Sequence, residues 1–462
     1  MEAATADMGG AAAAPPPAAG PAAAAASSGL WLKFLLFGQL VFTVNELQFP
    51  NPNIPGIVWA NLFFVFIYFA YRSQPDTIKV EGMLKSGFLF FGASLVYGFF
   101  IAQIHSPKDV MEDLTYVKNG LFYFFFYTIY LRCRQDAKTT RQLIIWIMVI
   151  VAVAGVQGLR QGMDYGFGHY NPTHRASGPF GHGWEQANRA GVFYAMFIGM
   201  FLAQLLFLRK WIPWRLGSIG GICLLVGGII STYSRQSYGL SLVAVTLLVV
   251  RRNILIAVAL ALAAGSLVQY LPESATQRVQ ETEQKDSHGN EEADESTASR
   301  WQIWEGGLKM FAHYPAGVGI LRFHTEIGNF SEHIGRDAHN FYVLTLAETG
   351  PFGILSLLYL HFRIFMLGRW MRKQTGGVDD PELRALTIGF RVCAVNAFAG
   401  AIYGSPTLQG SVMAPFWALA GLLERYCILK TQATTAQPAA AAPAQSLSDR
   451  FPLAAYISPG GR

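Results

Sequence analysis

The sequence predicts an all-α integral membrane protein of about twelve transmembrane helices, with a partly helical loop domain on one side. Three observations predict it. Of 462 residues, 52% are hydrophobic and only 14% charged, with a mean hydropathy of +0.30; soluble domains carry about 25% charged residues. Aromatic residues make up 14%, as expected of a chain whose Trp and Tyr side chains collect at bilayer interfaces. The apolar residues also gather in stretches near the length of about 20 residues that spans a hydrocarbon core.

Along the chain, residues 1–29 are Ala/Pro/Gly-rich and read as a disordered cytoplasmic tail. No basic n-region precedes a short apolar core and cleavage site, so a signal peptide is not expected. Residues 30–270 hold nine candidate spans: 30–47, 54–72, 84–104, 114–132, 141–160, 189–208, 214–232, 237–251 and 253–270. A loop at 161–188, rich in Gly, His and aromatics, interrupts them. Residues 271–340 form a large loop that begins acidic and turns amphipathic at Arg300; two helices are expected in it, with a mobile acidic stretch near 283–297. Residues 341–430 hold spans 341–367, 384–404 and 409–428, and 431–462 is a second low-complexity tail. The four cysteines, Cys133, Cys223, Cys393 and Cys427, form no CxxC pair. Buried packing is the reading for them rather than a disulfide or metal framework.

Lys and Arg set the orientation. With the N-terminus inside, inner loops carry Arg132, Arg134, Lys138 and Arg141, then Arg251 and Arg252, then Arg369, Arg372 and Lys373, while the short outer loops hold little beyond Lys108. Both termini are therefore expected in the cytoplasm.

That rule leaves Arg160, Arg175, Arg189, Arg235, Arg300, Arg322, Arg336 and His339 unexplained, on the outer side or at membrane depth. A charge at that depth costs at least about 2.5 kcal/mol and is usually paired or functional. Arg189, with Glu185, Gln186 and Asn188, opens the sixth span; it reads either as a snorkelling cation or as an anion ligand. Arg235 reads as a turn residue or a second ligand. Guanidinium forks suit phosphate oxygens, so these arginines suggest a lipid-linked diphosphate held near the outer interface, with anionic headgroups as the plainer alternative. In "RDAHNFYVLTLAETGPFG" (336–353), Asp337 is positioned to cap a helix or orient an imidazole. His339 and Gly350 stand about three turns apart, on one face of a helix. Gly350 and Gly353 admit a close helix neighbour, and Pro351 kinks the chain. His339 reads as a polar cap or as a general base, since His titrates near neutral pH.

His339-Asn340, nine residues, then Gly350-Pro-Phe-Gly353 resembles the signature of bacterial O-antigen ligases, a superfamily that includes O-antigen polymerases and O-linked oligosaccharyltransferases. The resemblance extends to "RWQIWEGGL" and "PAGVG" (315–319) in the large loop and to "YSRQ" after the seventh span. It implies a GT-C-like, metal-independent glycosyltransferase of the inner membrane with a periplasmic active site and no cofactor. The donor would be undecaprenyl-diphosphate-linked O-antigen and the acceptor a sugar hydroxyl of lipid A core. His339 would be the base, with Arg189 and Arg235 serving the diphosphate. Arg175, Asn188, Gln186, Arg300, Arg336, Asp337 and Asn340 would bind substrate. Membrane lipids are the expected surroundings, and no nucleic acid partner is expected. A polymerase, a protein O-oligosaccharyltransferase and a non-enzymatic transporter are the rival readings. The charges cluster outside rather than at the midplane, which disfavours the transporter.

Overall fold

The computed structural model describes residues 21–44, 59–72, 81–166, 171, 173–181, 184–208, 212–255, 258–259, 283–285, 291–293 and 295–436. Of the tails expected to be disordered at 1–29 and 431–462, residues 21–29 and 431–436 are helical; the rest of both tails, and most of the span expected at 253–270, lie outside the described residues.

The described chain is helical apart from one short antiparallel pair, β1 (Glu283–Lys285) with β2 (Glu291–Ala293), inside the stretch expected to be mobile. The helices are α1 (Pro21–Val44), α2 (Trp59–Arg72), α3 (Lys85–His105), α4 (Val110–Leu131), α5 (Ala137–Tyr165), α6 (Trp184–Phe207), α7 (Ile212–Thr232), α8 (Arg235–Arg252), α9 (Glu295–His313), α10 (Phe341–Thr375), α11 (Pro381–Gly400) and α12 (Gly410–Ala436). Seven are long and apolar enough to cross a membrane: α3, α5, α6, α7, α10, α11 and α12. α4 coincides with an expected span but carries Glu112 and Asp113 in its first turn. Among its described residues the large loop, expected to hold two helices, has one full helix, α9, and a single further turn, Phe323–Glu326. Cys133, Cys393 and Cys427 are buried as expected, whereas Cys223 is exposed.

α6 and α12 form the centre. α6 packs on α7, α8 and α11, and α12 on α4 and α5. From Val192 to Phe201, α6 is buried on every face, the pattern of a helix with protein all around it. At its start Gly191 has no room for a Cβ, which would meet the Ser237 hydroxyl, so α6 and α8 approach closely there.

Consecutive helices run antiparallel, so the bundle has two ends. One end is basic and tightly paired: Arg141 meets Glu382 at 2.7 Å and Lys430 meets Asp380 at 2.8 Å. Arg425, fully buried, donates to the Leu131 carbonyl, which the last turn of α4 leaves without an N–H partner, and to the Gln135 carbonyl in the connection to α5. Several inner arginines thus have specific partners beyond what orientation alone requires.

At the opposite end α10 breaks. Gly350 sits at φ 61°, ψ −156°, outside helical geometry, just before Pro351. Proline has no N–H, so the Ala347 carbonyl one turn earlier loses its helical donor. The segment 315–320 fills the gap. Val318 N–H donates to Ala347 O (3.0 Å), Gly319 N–H to Glu348 O (2.8 Å), and Ile320 N–H to Gly98 O of α3 (3.1 Å). Gly319, at φ +95°, lies so close to α3 that a Cβ would stand 2.2 Å from Ala102 Cα. Gly350 therefore admits the Pro315–Ala316 backbone, not another helix; Gly353 faces Thr349 and Thr345 of its own helix.

Arg322 anchors the same loop. It is buried, with Nη1 and Nη2 bonding both oxygens of Asp113 on α4 (2.9 and 2.6 Å) and Nε donating to Ser106 O. One outer arginine that orientation left unexplained is therefore a structural tie. Removing one partner of a buried pair leaves the other charge uncompensated, at about 3–5 kcal/mol. Arg322→Met and Asp113→Leu should each lower the thermal unfolding midpoint of the detergent-purified protein sharply, and the double variant should recover part of the loss. Strictly additive losses would show that the pair is not coupled.

Candidate active site

Sequence neighbours deliver side chains to one cavity at the end of the bundle away from the paired basic residues. α6 begins with Asn188 and Arg189, and α8 with Gln236. α9 contributes Arg300, the stretch before α10 contributes Asp337 and His339, and the α11–α12 connection contributes Tyr403, Gly404, Ser405, Pro406 and Gln409. With Val192 they border an open cleft of about 550 Å³, part of it continuous with solvent.

Each wall is fixed by contacts behind it. Arg175 is buried and does not line the cavity. Its Nε donates to Thr232 O (2.8 Å) and its Nη2 to Asn188 Oδ1 (2.6 Å), fastening the loop before α6 to the end of α7. Gln186 accepts from Arg189 Nη1 at 2.8 Å, one turn back on the same helix. Gln236 donates to Gly400 O (2.7 Å), and Asn396 Nδ2 donates to Ala195 O and Leu240 O, tying α11 to α6 and α8.

His339 precedes α10 rather than lying on it, so it shares no helical face with Gly350. Asn340 is the N-cap, accepting from Tyr342 and Val343 N–H (2.9 and 3.1 Å). Asp337 does not cap the helix; its Oδ1 accepts from Ala338 N–H (2.8 Å). His339 adopts φ 47°, a left-handed conformation that a non-glycine residue keeps only when its surroundings hold it. They do so on both sides. Trp304 Nε1 donates to Ala338 O (2.8 Å), and Phe341 N–H bonds Ala401 O and Gly404 O (2.8 and 3.1 Å). Arg300 and Trp304, one turn apart on α9, both meet the Tyr403 ring, Arg300 at 5.9 Å and Trp304 at 5.6 Å.

Of the residues singled out in sequence, Asn188, Arg189, Arg300, Asp337 and His339 share this cavity. Arg235 is the first residue of α8, beside the lining Gln236 but not itself a lining residue. Arg336 is exposed, and Arg175, Gln186 and Asn340 stand behind the wall. Other outer histidines pack elsewhere: His174 stacks on Tyr165, His313 meets Tyr314 and Phe330, and His333 bonds Gln302. The 403–409 connection was not anticipated. Two of its atoms, Ser405 Oγ and Gln409 Oε1, are buried without a hydrogen-bond partner in a chain that pairs most such groups.

The fold and the cavity define a polytopic α-helical membrane protein with a site lined by arginine, histidine and carboxylate at one end of the bundle. Residues 185–358 match the Wzy_C family, described as O-Antigen ligase. No curated protein matches the chain. The matched segment carries Asn188, Arg189, Gln236, Arg300, Asp337 and His339, while the 403–409 wall lies beyond it.

Trp304→Phe keeps the packing and deletes the bond to Ala338 O. The expected cost is about 1 kcal/mol of stability, with a larger fall in activity than in unfolding midpoint. Full activity in a variant with a normal midpoint would show that this bond does not position His339.

Proposed function

We propose that the chain transfers O-antigen polysaccharide from undecaprenyl diphosphate to a sugar hydroxyl of lipid A core, acting as the ligase of its superfamily at the periplasmic face of the inner membrane. One observation carries the reading: Arg189, Arg300, Asp337 and His339 line a single cavity at the end of the bundle opposite the basic, carboxylate-paired end. Lys and Arg favour the cytoplasmic side, so the cavity end is the periplasmic one. The match of residues 185–358 to the O-Antigen ligase family supports a lipid-linked sugar as substrate.

In this reading the acceptor hydroxyl attacks the anomeric carbon of the first donor sugar. His339 takes the hydroxyl proton as the new glycosidic bond forms. The bond from the anomeric carbon to the diphosphate oxygen breaks, and undecaprenyl diphosphate leaves with the electron pair. Arg189 and Arg300 face the oxygens on which negative charge grows, an electrostatic contribution that is strongest in a site shielded from bulk water. Arg235, beside the wall, adds positive potential to the entrance. Asp337, on the same wall as His339, favours the imidazolium that proton transfer creates. Asn188, Gln236, Ser405 and Gln409 offer neutral donors and acceptors to sugar hydroxyls. Arg175, Gln186 and Asn340 act through the residues they hold, and Arg336 lies at the rim.

His339→Ala should fold and lose O-antigen attachment by about 10²-fold or more, the usual weight of a positioned base; attachment at the wild-type rate removes His339 from that role. Arg189→Ala and Arg300→Ala should raise the donor concentration needed for half-maximal rate and lower the maximal rate. Full turnover at limiting donor in both would end the anion-clamp assignment. A deletion strain separates ligase from polymerase: long unligated lipid-linked chains mark a ligase, and core capped by a single repeat marks a polymerase.

A further inference from the structure

A second cavity of about 520 Å³ lies between α8, α10 and α11, toward the paired basic end of the bundle. Its walls are apolar, with Ile364, Phe365, Phe390, Val395 and Phe398 among them, and two arginines enter it, Arg251 and Arg391.

Orientation accounts for Arg251, which ends α8, but not for Arg391, which is central in α11, a helix long and apolar enough to span. Its Nη1 is buried with no hydrogen-bond partner. Neither arginine makes an ion pair among the described residues, and the charged groups whose fields reach Arg391 are Arg251 and Arg372, both positive. Nearby carboxylates are committed elsewhere: Glu382 to Arg141 and Asp380 to Lys430. The backbone makes room for the cation, since a Cβ on Gly368 of α10 would fall 2.8 Å from Arg391 Cγ.

A cation at membrane depth whose charged neighbours among the described residues are cations is costly unless an anion joins it, and the apolar walls suit a hydrocarbon partner in the same place. We propose that this groove binds an anionic phospholipid, its phosphate between Arg251 and Arg391 and an acyl chain along Phe365, Phe390 and Phe398. The site lies toward the end opposite the sugar-transfer cavity and needs no part of that reaction to be correct. A zwitterionic lipid fits less well, because its ammonium group faces the same arginines.

Native mass spectrometry of the full-length chain in detergent tests this, with phosphatidylglycerol, phosphatidylethanolamine and inorganic phosphate as probes. Wild type should retain phosphatidylglycerol over phosphatidylethanolamine. Arg251→Gln with Arg391→Gln should weaken phosphatidylglycerol retention roughly thirtyfold, from about fivefold per arginine. Arg391→Lys keeps the charge and serves as the folding control. Val395→Trp should reduce retention by filling the groove with both arginines intact. Equal retention of the two lipids by wild type overturns the proposal, as does unchanged retention in the double variant. Inorganic phosphate binding as tightly as phosphatidylglycerol also overturns it, because the acyl chain then contributes nothing.

Discussion

The cavity end of this molecule depends on two backbone carbonyls that a glycine–proline break in α10 leaves short of donors. In a bilayer no water serves an open C=O, so non-helical backbone survives only where protein completes its hydrogen bonds. Pro351 and the left-handed Gly350 open α10, and the N–H groups of Val318 and Gly319 close the opening. The exchange has a steric condition. Gly319, pressed against Ala102, has no room for a Cβ, nor has Gly317 against Glu348. The glycines of "PAGVG" and the Gly-Pro of α10 are two halves of one joint.

That joint is distant in sequence from the cavity yet controls it. Once 315–320 is docked, Arg322 reaches Asp113 across 209 residues of chain, and α9 lies against the beginning of α10. α9 then presents Trp304 to the Ala338 carbonyl and Arg300 to the Tyr403 ring. His339 keeps its strained conformation because Ala338 and Phe341 are held by other elements. Flexible, strongly hydrated ions gain from such pre-arrangement, since ordering them at the moment of reaction would add to the barrier.

The helices were legible because hydropathy and length identify spanning segments by the cost of exposing polar backbone to lipid. The cavity was legible in part by the same cost, since a charge on the wrong side attracts notice. That reasoning found Arg189, Arg300, Asp337 and His339, but it also flagged Arg322, whose partner Asp113 lies on α4 and is invisible without the fold. It passed over Tyr403, Ser405 and Gln409, which carry no charge, and over Arg391, which lies inside the span of α11. It misread Gly350 as a helix contact, because glycine alone does not say whether a helix or a loop approaches. It placed Arg235 on the wall, where a turn of about 100° per residue along α8 gives that position to Gln236.

The two ends also differ in what their cations border. At the basic end Arg141, Lys430 and Arg425 are matched by Glu382, Asp380 and backbone carbonyls, so their charge is largely spent within the fold. At the other end Arg189 and Arg300 border open volume together with a single lining carboxylate, Asp337. In the proposed transfer these guanidinium groups face the donor's diphosphate between low-dielectric walls, where their field is least screened.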